Sequence, residues 1–543
     1  MFSGKGKKGR GKADKSKNVH YSFEPSDPEF IDASLSVNLA YMKEKTGNSP
    51  DIAVRQLKIG DAIKVDMALV YVEALVDNDS ISDFLIESLL RHDPLEEKVF
   101  SQNLLETISK EIVSLKGIEA VNKWSKLFED LMNGHSIIFI EGMEQALSSS
   151  TEGGEKRAIE ESSTNVTLRG PRESFTESID TNIGLIRRII KNPNLWTESM
   201  KIGEVSNTDV TIMFLNGIAK KETVEEVRER LKRISIDGVL ESGYIEQLIE
   251  DQTLTSFPTI YHTDRPDTVA ANLLEGRIAI LVNGTPFVLL VPALFIQFFQ
   301  AIEDYYIRYD IATAIRFLRI LVFSISLIGP AVYIAATTFH QEMIPSSLAI
   351  IVAAQREPLP FPAFIEALIM EIAFEILREA GVRMPKAIGS TISIVGALVI
   401  GQAAIQAGIV SSAMVIVVSI TAIASYATPS YSIAISARLI RFFFMLSAAT
   451  FGFYGMILAF IFILVHLCSL RSFGVPYMYP FAPFNLKEAG DTIIRKPTWA
   501  FNSRPEYLND RNKQREGAKQ RPTAPKSRNM INFKAEKGER NES

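Results

Sequence analysis

Long uncharged segments dominate the C-terminal half of the chain. Residues 387–437 form a stretch of 51 residues without Asp, Glu, Lys, Arg or His, and residues 320–339 and 442–465 are also uncharged. A helix of about 20 apolar residues crosses ~30 Å of hydrocarbon. Backbone amides in lipid must bond within their own segment, so such stretches are helical. The pattern predicts an integral membrane protein.

The uncharged segments divide into about four transmembrane helices within a membrane domain at 301–470. The first span lies at 320–339. The 51-residue stretch is long enough for two spans, roughly 388–408 and 411–435, with a turn between them. The fourth span is expected at roughly 442–467.

Basic residues indicate which ends of these helices face the cytoplasm, because Lys and Arg concentrate on that side. Arg316 and Arg319 mark the cytoplasmic end of the first span. Four spans return the chain to the cytoplasm, where Arg471 belongs. Arg438 and Arg441 lie between the third and fourth spans and would then fall on the outer side, which conflicts with the rule.

The segment 346–385 between the first two spans is apolar but carries acidic residues and breaks at three prolines, Pro358, Pro360 and Pro362. We interpret it as a re-entrant or interfacial amphipathic segment. Its carboxylates Glu371, Glu375 and Glu379 form a stripe about 80° wide on a helix. They could line the vestibule of an oligomeric channel as a ring that attracts cations. They could equally be a solvated helix face.

The N-terminal half alternates strand and helix patterns, which predicts an α/β cytosolic N-terminal domain with two subdomains. The subdomains are expected at 51–148 and 165–300, with a Ser/Gly/Glu-rich linker at 149–164. Apolar strands are predicted at 67–72, 136–140 and 209–215. Helices are predicted at 81–90, 122–132, 177–191, 223–233 and 243–251. Asn283-Gly284 predicts a two-residue type I′ hairpin turn.

Two basic tails flank an acidic body. Residues 1–17 carry seven Lys or Arg against one acid, and residues 487–543 carry fourteen against eight, although the whole chain has a net charge of −5. We expect a basic disordered N-terminal arm at 1–50 and a basic cytosolic tail at 471–543. Basic tails beside a bilayer bind anionic lipid. They lack interleaved aromatic residues, so nucleic acid is not expected as a partner.

The chain shows no sign of catalysis, of a cofactor or of a metal site. It lacks a complete phosphate loop, a zinc-protease motif and a nucleophile elbow, and its one cysteine, Cys468, cannot form a thiolate cluster. The candidate functional residues are instead on the second span, and the pore-lining candidates are Thr391, Val395, Leu398, Val399, Gln402 and Gln406. Buried amides there could equally bond between helices beside small residues.

Several long motifs resemble one protein family. They are residues 355–362 (QREPLPFP), 370–383 (MEIAFEILREAGVR), 394–404 (IVGALVIGQAA), 170–177 (GPRESFTE) and the hairpin at 276–291. Together they resemble the A subunit of the GerA-type spore germinant receptors. The resemblance covers roughly residues 50–485.

The resemblance implies a nutrient sensor in the spore inner membrane, with both termini on the cytoplasmic (core) side. It implies a transporter-like B subunit and a lipoprotein C subunit as partners. It also implies that A subunits form a homo-oligomeric, ligand-gated ion channel. From the residues alone, a secondary transporter or a transporter-associated membrane signalling subunit remains open, although no matched pair of broken helices, typical of transporters, is evident.

Overall fold

The computed structural model describes residues 27–59, 65–77, 81, 118–153, 169–383, 399–486, 488–501, 503–509, 512, 514, 515 and 520–522. The described chain divides into two compact units. The first comprises residues up to 160 together with 174–216 and 280–286, and the second comprises the remainder. The predicted helix at 81–90 lies outside the described residues apart from Ile81.

An antiparallel five-stranded sheet with the order β1-β2-β4-β5-β3 is the framework of the first unit. The strands are β1 Ile52–Ile59, β2 Val65–Val72, β3 Ile118–Val121, β4 His135–Ile140 and β5 Ala146–Ser150. The central strands β2 and β4 are buried on both faces, because their residues form continuous apolar runs. The predicted strands at 67–72 and 136–140 are therefore confirmed.

Two helices pack on this sheet, α1 (Leu35–Lys45) and α2 (Trp124–Met132). Helix α1 corrects the predicted disordered arm at 1–50. Leu35, Leu39 and Met42 lie on one helical face and are buried, so this segment contributes to the core. The prediction rested on the Gly, Lys, Ser and Asp content of residues 1–50 taken together, which overlooked this local periodicity, and residues 1–26 lie outside the described chain.

The first unit also contains α3 (Ile179–Ile189), β6 (Leu195–Ile202) and β7 (Thr208–Leu215), and β6 pairs antiparallel with β7. The Arg187 side chain of α3 is fully buried and donates to both carboxylate oxygens of Asp51. Asp51 also accepts a 2.6 Å hydrogen bond from the Thr197 hydroxyl. The ion pair joins Asp51, just before β1, to Arg187 of α3, 136 positions away in the sequence. The Thr197 hydroxyl adds a contact from β6.

The second sheet has the order β6-β7-β9-β10-β8, where β8 is Tyr261–Thr263, β9 is Ile278–Val282 and β10 is Val288–Val291. The predicted two-residue turn at Asn283-Gly284 is wrong. Five residues separate β9 from β10, and only Gly284 of the dipeptide has a positive φ, 92°. Within the first unit the dipeptide bonds elsewhere: the Gly284 amide donates to the Glu177 carbonyl, and the Asn283 side chain accepts from the Ile179 amide.

Among its described residues, the second unit contains three helices outside the apolar bundle. They are α4 Lys221–Lys232, α5 Ser242–Ile249 and α6 Pro266–Glu275. The bundle helices are α7 Tyr309–Thr338, α8 Ser346–Arg356, α9 Ala363–Arg383, α10 Ser412–Tyr426 and α11 Tyr431–Ser469. A short antiparallel pair follows, β11 Arg471–Ser472 and β12 Val475–Pro476. Among the described residues α7 and α11 are long and apolar enough to cross a membrane, and α10 is shorter.

Helix α11 is a helical hairpin that turns at Gly452. Gly452 has φ 60° and ψ −142°, which is not helical. The rings of Phe443 and Phe462 lie 6.1 Å apart, whereas 19 residues of straight helix would separate them by about 28 Å. The segments 431–451 and 453–469 therefore run antiparallel as two arms.

The hairpin and α10 change the predicted spans. The expected single span at 442–467 is wrong, because the chain reverses direction at Gly452 within it. The expected span at 411–435 ends early, because α10 stops at Tyr426 and a new helix begins at Tyr431, on either side of Pro429. Most of the span at 388–408 lies outside the described residues, which resume at Val399 in helical conformation.

Candidate functional site

Three of the six pore-lining candidates are described. Val399, Gln402 and Gln406 are exposed on the helical segment that precedes Gly408, and they share one side of it. Gly401 is buried on the other side, where an added Cβ would lie 3.5 Å from the Val415 side chain of α10. Thr391, Val395 and Leu398 lie outside the described residues. The structure thus leaves this stripe unpacked within one chain.

The acidic stripe on α9 is not uniform. Glu375 and Glu379 are exposed and pair with Arg378 and Arg383 of the same helix. Glu371 is only 5% exposed. Glu371 therefore fits neither of the two interpretations left open for this stripe, a vestibule ring and a solvated helix face, because its side chain is buried.

Glu371 pairs with a residue of another helix. Arg441, on the first arm of α11, donates from Nη1 to Glu371 Oε2 over 2.5 Å. Arg441 Nε also donates to the Ser326 carbonyl of α7 over 2.6 Å. One guanidinium therefore connects three bundle helices. These partners are needed, because a buried charge without a partner is strongly destabilising.

A second buried carboxylate on α9 organises the start of α10. Glu366 is fully buried and accepts from the Ser411 backbone amide over 3.0 Å. Arg356 of α8 lies 3.5 Å from its other oxygen. Ser411 is the N-cap of α10, and its hydroxyl accepts from the Met414 amide. Glu366 thus places a negative charge at a helix N-terminus, where the helix dipole favours it.

The bundle has two ends, which we call the loop end and the turn end. The loop end is defined by residues 255–263, which contact both ends of α11. Thr255 bonds His466 at 3.0 Å, and the Ser256 carbonyl accepts from Ser436. The turn end is defined by Gly452, which packs against His340 at the end of α7.

Charged residues gather at the start of α7. Arg316, 2% exposed, donates to Asp304 over 3.0 Å and to the Asp491 carbonyl over 2.9 Å. Arg319 donates to both oxygens of Asp304 at 2.8 Å. Burial raises the pKa of the Asp491 carboxyl, and the positive charge of Arg316 opposes that rise. The cluster fastens the start of α7 to the segment that follows α11.

Asp251, just after α5, holds the turn between β11 and β12. Its two oxygens accept from the Phe473 amide over 3.0 Å and from the Gly474 amide over 3.1 Å. Arg230 of α4 donates to the same carboxylate over 2.5 Å and stacks on the Phe473 ring at 4.3 Å. Phe473 has φ 49°, a left-handed conformation that this clamp stabilises. The clamp connects α4 and the end of α5 to the segment that follows the last bundle helix.

The sequence interpretation missed the partners of these arginines. It used Arg316 and Arg319 only as topology markers and left Arg441 in conflict with the positive-inside rule. Arg438 belongs to the part of the first arm near the loop end, the end that also holds Ser436, whereas Arg441 lies at the middle of that arm and pairs with Glu371. That conflict was the available signal that one span had been drawn wrongly.

Comparison with known proteins identifies relatives along nearly the whole chain. The family described as Bacillus/Clostridium GerA spore germination protein matches residues 40–507. The chain is 56% identical over 518 residues to spore germination protein KA of Bacillus subtilis (strain 168), covering 95% of this chain and 94% of the relative. It is 43% identical over 521 residues to the uncharacterized membrane protein YfkQ of the same strain, covering 96% and 100%.

A solved structure also matches. The crystal structure of the N-terminal domain of the A subunit of the Bacillus megaterium spore germinant receptor GerK3 shares 50% sequence identity with this chain. The match covers 50% of this chain and 99% of that chain, with a TM-score of 0.41.

Proposed function

This chain belongs to the GerA family of spore germination proteins, and from that premise we propose that it is a germinant-receptor A subunit that forms an oligomeric, ligand-gated ion channel. The family resemblance inferred from the motifs is confirmed, and a germinant-receptor A-subunit role in germination is supported by several relatives. Because those relatives are named as germination proteins, we assign the chain no catalytic step.

The exposed stripe of Val399, Gln402 and Gln406 carries the channel proposal. Uncharged amides at membrane depth are costly unless they face protein or water. In one chain the two glutamine side chains are exposed, whereas the opposite side of the segment packs on α10. A ring of identical chains would place this stripe around a shared axis and turn it into a complete polar lining.

The gate of this channel would be apolar. Val395, Leu398 and Val399 precede the two glutamines in the sequence, and hydrophobic constrictions close by dewetting. Thr391 would lie on the far side of the gate. Glu375 and Glu379 are exposed and available as vestibule carboxylates, whereas Glu371 has a structural role through Arg441.

The order of the helices supports a six-segment topology in place of the four spans expected from sequence. Helix α7 leads from the loop end to the turn end. Helix α9 runs in the opposite direction: Glu366, near its start, bonds Ser411, which lies beside Tyr333 near the end of α7. Glu371, further along α9, bonds Arg441 in the middle of the first arm of α11. The described residues 399–407 then lead to Ser411 at the turn end, and α10 runs back from it. The two arms of α11 complete six segments. An even number places both termini on one side, which we assign to the cytoplasmic side of the spore inner membrane.

The receptor's other components follow from the family. We propose a transporter-like B subunit and a lipoprotein C subunit as partners, a homo-oligomer of this chain as the channel, and anionic lipid as the ligand of its basic tails. Relatives in Bacillus subtilis (strain 168) are named spore germination proteins A1 and B1, which supports a role in germination.

Reconstitution of the purified chain in planar bilayers tests the channel. Stepwise single-channel currents are expected, and Val399→Ser should raise the open probability because a polar side chain wets the constriction. Val395→Ala should also raise the open probability in bilayers. In spores, the same variant should cause germination without nutrient. Ile400→Ser, on the adjoining face, serves as the matched control. Saturable, substrate-coupled flux without current steps would favour a secondary transporter instead.

A further inference from the structure

The segment that follows α5 is held at both ends and protrudes between them. At one end, Asp251 belongs to the clamp on the turn between β11 and β12. At the other end, Phe257 is 6% exposed and packs in the bundle core, with its ring 6.2 Å from that of Phe295. The three residues between Asp251 and Thr255 are exposed, and we call them the protrusion: Gln252, Thr253 and Leu254.

Leu254 is the apolar residue of the protrusion and is 94% exposed. In water such a side chain gains nothing from the hydrophobic effect. Single exposed leucines are nevertheless ordinary on protein surfaces. The level of Leu254 along the bundle therefore decides what covers it.

Two contacts fix this level along α11. The Thr255 hydroxyl lies 3.0 Å from His466 Nε2, in the last turn of the second arm. The Ser256 carbonyl accepts from the Ser436 hydroxyl of the first arm. Because the uncharged stretch 442–465 ends directly before His466, this histidine marks the edge of the hydrocarbon on the second arm. Leu254 precedes the residue that contacts this edge.

The surroundings of the protrusion resemble a membrane boundary. Val465, next to His466, is exposed and belongs to the apolar outer surface of α11. Arg471, just past the end of the helix, is also exposed. The Arg438 guanidinium lies 5.7 Å from the centre of the exposed Tyr431 ring at the start of α11. Aromatic and basic side chains are enriched at this level of a bilayer, where basic groups attract anionic headgroups.

We propose that Leu254 is a lipid anchor, whose side chain enters the acyl-chain edge of the leaflet at the loop end. The polar residues Gln252 and Thr253 lie in the headgroup layer. This inference rests on the membrane placement of the bundle proposed above. Because the protrusion begins at Asp251, to which Arg230 of α4 also donates, the anchor seats α4 and the end of α5 at the bilayer surface.

Quenching by brominated lipids tests the anchor in the full chain. Cys468→Ser removes the one cysteine, so Leu254→Cys in that background carries a single bimane label. The labelled chain is placed in vesicles of phosphatidylglycerol and phosphatidylcholine brominated near the headgroup end of its acyl chains. Since the bromines lie inside a hydrocarbon layer ~30 Å thick, quenching at 254 should exceed that at Asp237→Cys, an exposed charged position, at least about threefold.

Labels at Ile457→Cys and Val465→Cys, both exposed on the second arm, are the positive controls. Quenching at these positions without quenching at 254 would overturn the anchor and leave the bundle in the membrane. If disulfides then form between the 254 cysteines of two copies, a second chain covers this surface instead. Absence of quenching at both controls would overturn the membrane placement and the anchor with it.

Substitution measures what the anchor holds in place. The Phe257 amide donates to the Thr255 hydroxyl oxygen over 3.1 Å, so its hydrogen exchange reports the order of this loop. In vesicles, Leu254→Asn should raise that exchange at least about threefold, whereas Leu254→Trp should preserve the protection because tryptophan suits the interface. Leu240→Asn, at another exposed leucine, is the matched control and should change nothing. An unchanged Phe257 amide in Leu254→Asn would overturn the anchoring role.

Discussion

Arg441 and Glu371, 70 positions apart, form a buried ion pair with an Nη1–Oε2 distance of 2.5 Å. Both side chains are at most 6% exposed. The Arg441 Nε–H bond to the Ser326 carbonyl extends this pair to a third helix. The pair therefore ties α9 to the first arm of α11 and to α7.

Glu371→Gln should destabilise the bundle by about 3–5 kcal/mol, because it leaves the Arg441 charge buried without an anion. Thermal unfolding of the purified chain in detergent measures this. Glu379→Gln, on the exposed side of the same helix, is the control and should change stability by less than about 1 kcal/mol. The double variant Glu371→Met with Arg441→Met should recover much of the loss, and no recovery would contradict this explanation.

Asp51→Asn should destabilise the first unit by about 3–5 kcal/mol, because the buried Arg187 guanidinium loses its counter-charge. Amide hydrogen exchange of α3 in the full chain should accelerate accordingly. Asp66→Asn is the matched control, since Asp66 and its partner Lys58 are both largely exposed and such pairs contribute about 0–1 kcal/mol. Equal exchange rates in the two variants would refute the assignment.

Asp251→Asn should loosen the turn after the last bundle helix. The uncharged amide weakens the bonds from Phe473, Gly474 and Arg230, and a bond to a charged group contributes about 1.5–3 kcal/mol. Hydrogen exchange at the Phe473 and Gly474 amides should rise by at least about tenfold. Asp237→Asn, at an exposed position, should leave these amides unchanged. Protection that survives Asp251→Asn would show that the clamp is not needed.

Stability should fall between about pH 4.5 and 7 through Glu246 of α5. Burial raises the pKa of Glu246 from 4.5 to about 7, and the negative charges of Glu250 and Glu241 add to the rise. A raised folded-state pKa favours folding below the unfolded pKa, and this contribution is lost as the pH rises through the folded pKa.

Glu246→Gln removes this loss, so above pH 7 it should be more stable than the wild type by about 3 kcal/mol. His262, 3.8 Å away, has a pKa lowered by burial and acts in the opposite direction as the pH falls. Because His262 is present in both proteins, its effect largely cancels in the difference in unfolding free energy between the variant and the wild type. Melting curves that run parallel from pH 4.5 to 8 would contradict the prediction.

The local elements of the fold were predictable, but their partners were not. Periodicity indicated α2, α3, α4 and β7 because each element's apolar pattern is contained in its own residues. The charged partners are far apart in sequence: 70 positions separate Glu371 from Arg441, and 136 separate Asp51 from Arg187. No local pattern encodes such distances.

The α11 hairpin shows a different limit of hydropathy. Residues 442–465 are uniformly apolar, so a hydropathy profile cannot show that the chain reverses inside them. Gly452 permits the reversal, because its φ of 60° suits glycine and an added Cβ would lie 2.7 Å from the His340 ring. For the pore candidates, the sequence indicated the polar stripe, while its role stays a proposal.

The hairpin also has a consequence for the synthesis of the protein. Arms of 21 and 17 residues would each extend about 25–32 Å, close to the hydrocarbon thickness. Because the chain from residue 442 to 465 carries no charge, the two arms can partition into the bilayer together, with only the turn at Gly452 translocated. We therefore expect insertion of this hairpin to require no pulling of a polar loop through the translocon, and the C-terminal tail never to leave the side on which the ribosome made it.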